Sequence, residues 1–194
     1  IEPDKTDNVA ITPMIMAPAL KKDYPEVEQS ARYIPGNQTV LLKLGDQEAY
    51  IEKVFYADSN HFEVFTFPFI VGNPKTALIE PNAIVLTAST ALKYFSNPAD
   101  ALGKSLRSEG ETIYKITGVM EDVPKNSHIL FNSLISSATI AENLRGSGNW
   151  GNFGALTYVL LEPNQNPKSF EKKLSSIYPT YQKSIFEQFG VKMK

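Results

Sequence analysis

The sequence predicts an α+β fold of two lobes, in which a strand-rich lobe is inserted into a lobe built from both chain ends. The outer parts of the chain alternate between helical and extended patterns, whereas the middle part is dominated by extended patterns and tight turns. The chain has 194 residues, 42% of them hydrophobic, which suffices for an ordinary core. We place the first lobe at residues 1–35 and 127–194 and the insert at residues 36–126.

The front of the chain predicts one helix and one strand. Thr12-Pro13 followed by a stripe of apolar residues is typical of an N-cap with proline in the first turn, and the helix is expected to run to about Tyr24. Pro25 ends this helix, and residues 27–34 favour an extended strand.

The insert predicts two hairpins separated by short helices. Gly45 lies between two alternating runs of the first hairpin, Asp58 is placed to cap a short helix, and Thr87 is placed to cap another. The predicted elements are a hairpin over residues 39–57, a helix over 60–65, a strand over 83–86, a helix over 88–95 and a hairpin over 104–121.

The back of the chain predicts a strand at residues 129–136, a helix at 137–144, a strand at 155–162 and a helix opened by Asn166-Pro167. Residues 146–154 are too rich in glycine for regular structure and predict a long loop. Trp150 and Phe153 of this loop are the candidate contact residues, since exposed aromatic side chains in loops often bind partners. The alternative is that Trp150 holds the loop against the core.

Composition excludes several classes of protein. The net charge is -2 and basic residues do not cluster, so no nucleic-acid partner is expected. Cysteine is absent, which excludes disulfides, thiolate nucleophiles and cysteine-ligated zinc. No apolar run reaches the roughly 20 residues that span a bilayer.

Catalytic motifs are also missing, and we expect no enzyme, no cofactor and no metal site. The two histidines, His61 and His128, lie far apart and are each expected to be surface or half-buried residues. No G-x-S-x-G elbow or phosphate-binding loop occurs. Among the acidic residues, Asp58 is interpreted as a helix cap and Asp122 as a turn residue rather than as catalytic groups.

Several segments resemble the MacB-type periplasmic core domains of FtsX-like permeases and occur in the same order along the chain. Their sequences are most similar to those of permeases from Bacteroidetes-like bacteria. The segments are Tyr56-Ala57-Asp58-Ser59-Asn60-His61-Phe62-Glu63-Val64-Phe65-Thr66-Phe67-Pro68-Phe69, Gly72-Asn73-Pro74, Pro81-Asn82-Ala83-Ile84-Val85-Leu86-Thr87, Ala91-Leu92-Lys93-Tyr94-Phe95, Ala101-Leu102-Gly103-Lys104-Ser105-Leu106 and Tyr114-Lys115-Ile116-Thr117-Gly118-Val119-Met120-Glu121-Asp122-Val123-Pro124. Together with the end of the first helix and the C-terminal helix, the resemblance covers nearly the whole chain.

The resemblance implies a porter-like lobe made of both chain ends, held between the first and second membrane helices of an ABC transporter permease. It implies a location on the periplasmic face of the inner membrane, a cytoplasmic ATPase subunit, a second permease copy and a periplasmic adaptor or substrate protein as partners. Conformational change driven by ATP would pass to the periplasm and serve the export or extraction of a substrate. Both termini of the domain would lie at one end of the fold. No catalytic residue is implied. The alternative is a free-standing periplasmic module that binds a peptide or lipid.

Overall fold

The structure is a computed structural model that describes residues 10–141, 149–183 and 187, without the side chains of Asn37, Gln38 and Tyr178. The strands are β1 (Thr12–Pro13), β2 (Val27–Lys43), β3 (Ala49–Ala57), β4 (Phe69–Gly72), β5 (Ala83–Thr87), β6 (Ser105–Ser108), β7 (Ile113–Met120), β8 (Ser133–Ser136) and β9 (Phe153–Leu161). The α-helices are α1 (Met16–Asp23), α2 (His61–Val64), α3 (Ala88–Tyr94) and α4 (Pro167–Leu174), with 3-10 helices at Pro98–Ala101 and Ser137–Ile140 and a π-helical turn at Tyr178–Gln182.

The nine strands of the described residues belong to one sheet, in the order β1-β9-β2-β3-β8-β5-β7-β4, with β6 bonded to both β2 and β7. The pairs β3-β8 and β5-β7 are parallel and the other pairs are antiparallel. Because β6 joins β2 to β7, the strands β2, β3, β8, β5, β7 and β6 close into a ring. A closed ring leaves no free strand edge within it.

Strand β2 connects this ring to the strands formed by the chain ends. It has 17 residues, and at about 3.3 Å per residue it is roughly 50 Å long. Its first part, from Val27 to Tyr33, pairs with β9, and its second part pairs with β3 and β6. The extended patterns at residues 27–34 and 39–44 are thus one strand, which passes Pro35 with a register shift against β3. Proline has no N–H to give to a ladder, which accounts for an irregularity there.

The described residues form four apolar clusters, of which the smallest holds Met14, Ile34 and Ala155. The first cluster lies inside the ring. It is formed by every second side chain of the ring strands, together with side chains from α3 and the following turn. Its buried members are Leu42, Val54, Ile84, Leu86, Ala91, Tyr94, Ala101, Leu106, Tyr114, Ile116, Val119 and Ile135. Aromatic side chains around α2 cover the outside of the ring in the second cluster. The third cluster packs α1 and α4 beside β9.

The mixed α+β architecture agrees with the sequence prediction. Hydrogen bonding is continuous across the predicted lobe boundaries, because β8, from residues 127–194, pairs with β3 and β5, both from residues 36–126. The division into two lobes at those boundaries stays a prediction.

The predicted start of the first helix is wrong. Thr12 is not an N-cap: Thr12 and Pro13 form β1, and the Thr12 hydroxyl donates to the Ala155 carbonyl oxygen at 2.9 Å. Helix α1 begins at Met16, and the residue before it makes no side-chain cap. Pairing with β9 gives the Thr12 backbone and hydroxyl partners in the sheet, and this tertiary contact outweighs the local capping pattern.

Other boundaries were predicted well. The Thr87 hydroxyl accepts from the Thr90 backbone N–H and caps α3, and the Asn166 side chain caps α4. The helix predicted at residues 137–144 is described only as the 3-10 helix Ser137–Ile140 and the next residue, because residues 142–148 lie outside the described part of the chain. Part of the glycine-rich loop, residues 146–148, lies outside it as well.

None of the helices within the described ranges is both long enough and apolar enough to cross a bilayer.

Candidate functional site

An open cleft of about 770 Å³ lies beside the first part of β2. Helix α1 forms one wall, and the opposite wall is formed by the turn before α2, by residues 78–79 and by the 3-10 helix Ser137–Ile140. Both polar and apolar residues line it. They are Met14, Ile15, Ala17, Pro18, Lys21, Lys22, Gln29, Ser30, Arg32, Asp58, Ser59, Asn60, Leu78, Ile79, Ser137, Ala138 and Ala141.

An ion pair between Arg32 and Asp58 lies in this cleft. Arg32 donates from Nε to Asp58 Oδ2 at 2.9 Å and from Nη2 to Oδ1 at 2.8 Å. This bidentate geometry fixes the orientation of the two side chains relative to each other. The Arg32 Nη1 group donates to the Met14 carbonyl oxygen at 2.8 Å. With side chains only 18% and 15% exposed, the pair joins β2 to the end of β3 and to the start of α1.

The capping role predicted for Asp58 is therefore wrong. Besides the guanidinium of Arg32, its carboxylate accepts from the Arg32 backbone N–H at 3.0 Å and from the Ser137 hydroxyl at 3.0 Å. Helix α2 begins at His61 without a side-chain cap. The sequence signal for this pair is weak: an arginine between Ala31 and Tyr33 in a predicted strand requires a partner if it is buried, but nothing local identifies that partner.

Positive charge dominates the cleft. Lys21 and Lys22 lie on the wall formed by α1. Together with Arg32 they give the lining three positive charges, against the one carboxylate of Asp58. Lys21 Nζ donates to the carbonyl oxygens of Val27 and Glu28. Among the described residues, Lys22 makes no hydrogen bond or ion pair. The cleft thus offers attraction for an anionic group beyond those that its described lining residues supply.

A second charged cluster lies inside the ring. Glu52 is fully buried and accepts from Lys93 Nζ at 2.9 and 3.0 Å and from the Tyr94 hydroxyl at 3.3 Å. Burial and the neighbouring Glu52 carboxylate raise the pKa of Tyr94 above its ordinary value. Tyr50 lies beside the lysine, whose Nζ is 5.8 Å from the ring centroid. Each group has a partner, so this cluster stabilises the interior rather than offering a reactive group.

His61 lies within an aromatic cage, and its predicted place at the surface or half-buried is wrong. The side chain is 0% exposed, and neither ring nitrogen has a hydrogen-bond partner within the described part of the chain. Its ring centroid is 4.5 Å from that of Tyr33, 4.9 Å from Phe65 and 5.2 Å from Phe62. Burial lowers its pKa to about 4, against a smaller opposing effect of the Asp58 charge. The aromatic spacing of α2 turns the histidine inward with the phenylalanines.

His128 is exposed, as predicted, and its Nε2 is 2.6 Å from the Tyr158 hydroxyl. Asp122 lies in the irregular segment after β7, before the turn at residues 125–126, and accepts from the Ser89 backbone N–H at 2.9 Å. In the described ranges, no three residues among histidine, aspartate and glutamate are grouped so that they could hold a metal ion. The two histidines lie in separate surroundings.

Trp150 and Phe153 lie outside the cleft. Trp150 stacks on Tyr181, with ring centroids 4.4 Å apart and planes 18° apart, which fits the alternative that it holds the loop against the core. Phe153 is the first residue of β9 rather than a loop residue, pairs with Pro13 and is 42% exposed. Their role as partner contacts stays a prediction.

Comparison with known proteins gives a consistent result. The family model described as MacB-like periplasmic core domain matches residues 2–177. The chain is similar to a domain named as that of a permease protein from Porphyromonas gingivalis, at 29% identity and a TM-score of 0.75 over 90% of this chain and 79% of that one. No curated protein matches it.

Two further solved structures share the fold. The periplasmic region of MacB from Actinobacillus actinomycetemcomitans is 16% identical, with a TM-score of 0.66 over 94% of this chain and 85% of that one. The extracellular domain of YknZ, an ABC-type transporter from Gram-positive bacteria, is 15% identical, with a TM-score of 0.59 over 95% of this chain and 88% of that one.

Proposed function

Because the chain belongs to the family of MacB-like periplasmic core domains, we propose that it passes ATP-driven conformational change from an ABC transporter permease into the periplasm. Its partners in this proposal are a cytoplasmic ATPase subunit, acting through the membrane part of the permease, and a second permease copy. The substrate is exported or extracted by a movement of this domain. The periplasmic domain itself performs no chemistry.

Strand β2 is the observation that carries the proposal. Its first part is bonded to β9, and its second part is built into the closed ring. The Arg32–Asp58 pair ties the middle of this strand to β3 and to the start of α1. A displacement applied near α1 and β9 is therefore carried by backbone hydrogen bonds into the ring.

The described ends of the chain also support the proposal. Near the front, Pro13 pairs with Phe153 at the start of β9, and near the back, Tyr181 stacks on Trp150, which precedes that strand by three residues. The Tyr181 hydroxyl also donates to Asp23 of α1 at 2.7 Å. The two ends thus contact the same region of the fold, as two nearby membrane helices would require. The termini themselves lie outside the described residues.

A role without catalysis is part of the same proposal. The ring of the buried histidine is neutral and has no hydrogen-bond partner among the described residues. The buried carboxylate of Glu52 and the half-buried carboxylate of Asp58 are each held by a cation. A general acid or base needs a proton acceptor or donor within reach of a substrate, and these groups are committed to internal contacts.

The second candidate is a free-standing periplasmic module that binds a peptide or lipid, and the cleft of about 770 Å³ favours it. The flanking coding sequence separates the two candidates. The proposal predicts an apolar helix of about 20 residues on each side of this segment and an adjacent ATPase gene. A reading frame without flanking apolar helices would overturn the proposal and favour the free-standing module.

A further inference from the structure

We propose that the cleft beside Arg32 binds an extended segment of another periplasmic protein, one that carries apolar side chains and at least one carboxylate. This inference rests on the proposed function, which places the domain and its partner in the periplasm. It adds to that function the chemical character of the partner. The size, charge and wall composition of the cleft each point to this class of ligand.

The dimensions suit a chain segment. At about 770 Å³ the cleft has a volume typical of ligand sites, which usually measure roughly 300–1,000 Å³. It is open rather than enclosed, with α1 on one side and the 3-10 helix Ser137–Ile140 on the other. A ligand bound in such an open cleft can therefore remain part of a larger protein.

The charge selects an anionic ligand. Both oxygens of Asp58 are occupied by Arg32 and Ser137, so this carboxylate does not compensate the lysines of α1. Lys22 has no partner among the described residues, and the Nζ of Lys21 meets only carbonyl oxygens. A carboxylate on the ligand finds two ammonium groups on one wall, and unlike charges across an interface favour association and select the partner.

The walls favour a peptide over a lipid chain. Ile79 is 49% exposed at the cleft and offers apolar contact area, and the exposed Pro18 and the half-buried Ile15 add to it. Between them lie polar groups, including the Ser59 hydroxyl and the Asn60 side-chain amide. A peptide can hydrogen-bond to such groups through its own backbone, whereas an acyl chain would bury them without partners at a cost in free energy.

The test uses the whole chain and a short, dye-labelled peptide of alternating leucine and glutamate, with binding followed by fluorescence anisotropy at low salt. We expect saturable binding that weakens as salt is raised. A peptide with lysine in place of glutamate and one with glycine in place of leucine are expected to bind at least about tenfold more weakly. Vesicles of phosphatidylglycerol provide a separate arm for a lipid surface.

Three variants locate the site. Lys22→Glu is expected to weaken binding at least about tenfold because it reverses an unpartnered charge, and Ile79→Ser is expected to weaken it several-fold. Lys104→Glu, at an exposed lysine outside the cleft, is the matched control and is expected to bind like the parent chain. All three positions are exposed, so the far-UV circular dichroism spectrum should not change.

Several results would overturn the site. They are absence of saturable binding, equal binding by Lys22→Glu and the parent chain, and equal binding of the lysine peptide. Vesicle binding that depends on Lys22 without peptide binding would assign the cleft to an anionic lipid surface instead. If the flanking coding sequence holds membrane helices while the peptide fails, only the cleft assignment falls and the proposed function stands.

Discussion

Acid should unfold this protein partly through His61. The histidine is 0% exposed, and its ring nitrogens find no hydrogen-bond partner in residues 10–141, 149–183 and 187. Burial lowers its pKa from 6.5 to about 4. The unfolded chain therefore binds a proton at this residue between pH 6.5 and 4, whereas the folded chain does not. As far as His61 determines it, the free energy of unfolding is highest above pH 6.5 and falls as the pH is lowered from 6.5 to 4.

The size of the effect follows from the pKa difference. A shift from 6.5 to about 4 corresponds to about 3 kcal/mol of unfolding free energy once both states are protonated. About 2 kcal/mol of this is lost by pH 5. Other groups titrate in the same range, so the informative quantity is the difference between the parent chain and a His61→Phe variant.

Urea unfolding at pH 7.5 and pH 5, followed by circular dichroism, measures this difference. We expect the parent chain to lose about 2 kcal/mol more than His61→Phe between the two pH values. The variant is expected to be at least as stable as the parent at pH 7.5, since it removes two unbonded buried nitrogens. His128→Gln, at the exposed histidine, should keep the full pH dependence. Equal pH dependence in the parent and His61→Phe would refute the reasoning.

Three further substitutions test the sheet and the interior of the ring by urea unfolding. Gly72→Ala is expected to cost at least about 2 kcal/mol, because φ is +97° and an added Cβ would lie 2.5 Å from the Thr117 carbonyl oxygen; a neutral result would contradict this local geometry. Ile135→Ala, at a fully buried position in the ring, should cost about 2–5 kcal/mol, and a smaller loss would argue against a packed interior. Lys93→Ala removes the cation that pairs with the buried Glu52 and should cost about 2 kcal/mol, less than for a fully buried pair because the lysine is 35% exposed; an unchanged unfolding free energy would argue against a stabilising role of this pair.

Local signals predicted local structure well. The Thr87 cap, the helix opened by Asn166 and both hairpins follow from turn and capping chemistry within a few residues. Thr12 and Asp58 carried equally good local signals for capping, but β9 and Arg32 gave their polar groups other partners.

Long-range pairing was not visible from the sequence. The closure of the ring depends on β6 meeting β2 across more than 60 residues, at Leu42 with Ser108 and Lys43 with Arg107. The burial of His61 depends on aromatic side chains from several elements, including Tyr33 of β2. The cleft likewise combines residues from 14 to 141, which no local pattern places together.

Transmission of movement through an intact domain is tested most directly by distances between spin labels in the assembled permease with its ATPase. The chain has no cysteine, so labels can be placed at Ile51 of β3 and Lys168 of α4, both exposed. On ATP binding, we expect the distance between these labels within one domain to stay constant, and the distance between Lys168 labels of the two permease copies to change. Constant distances in both measurements, or a change confined to the inside of the domain, would contradict the proposed function.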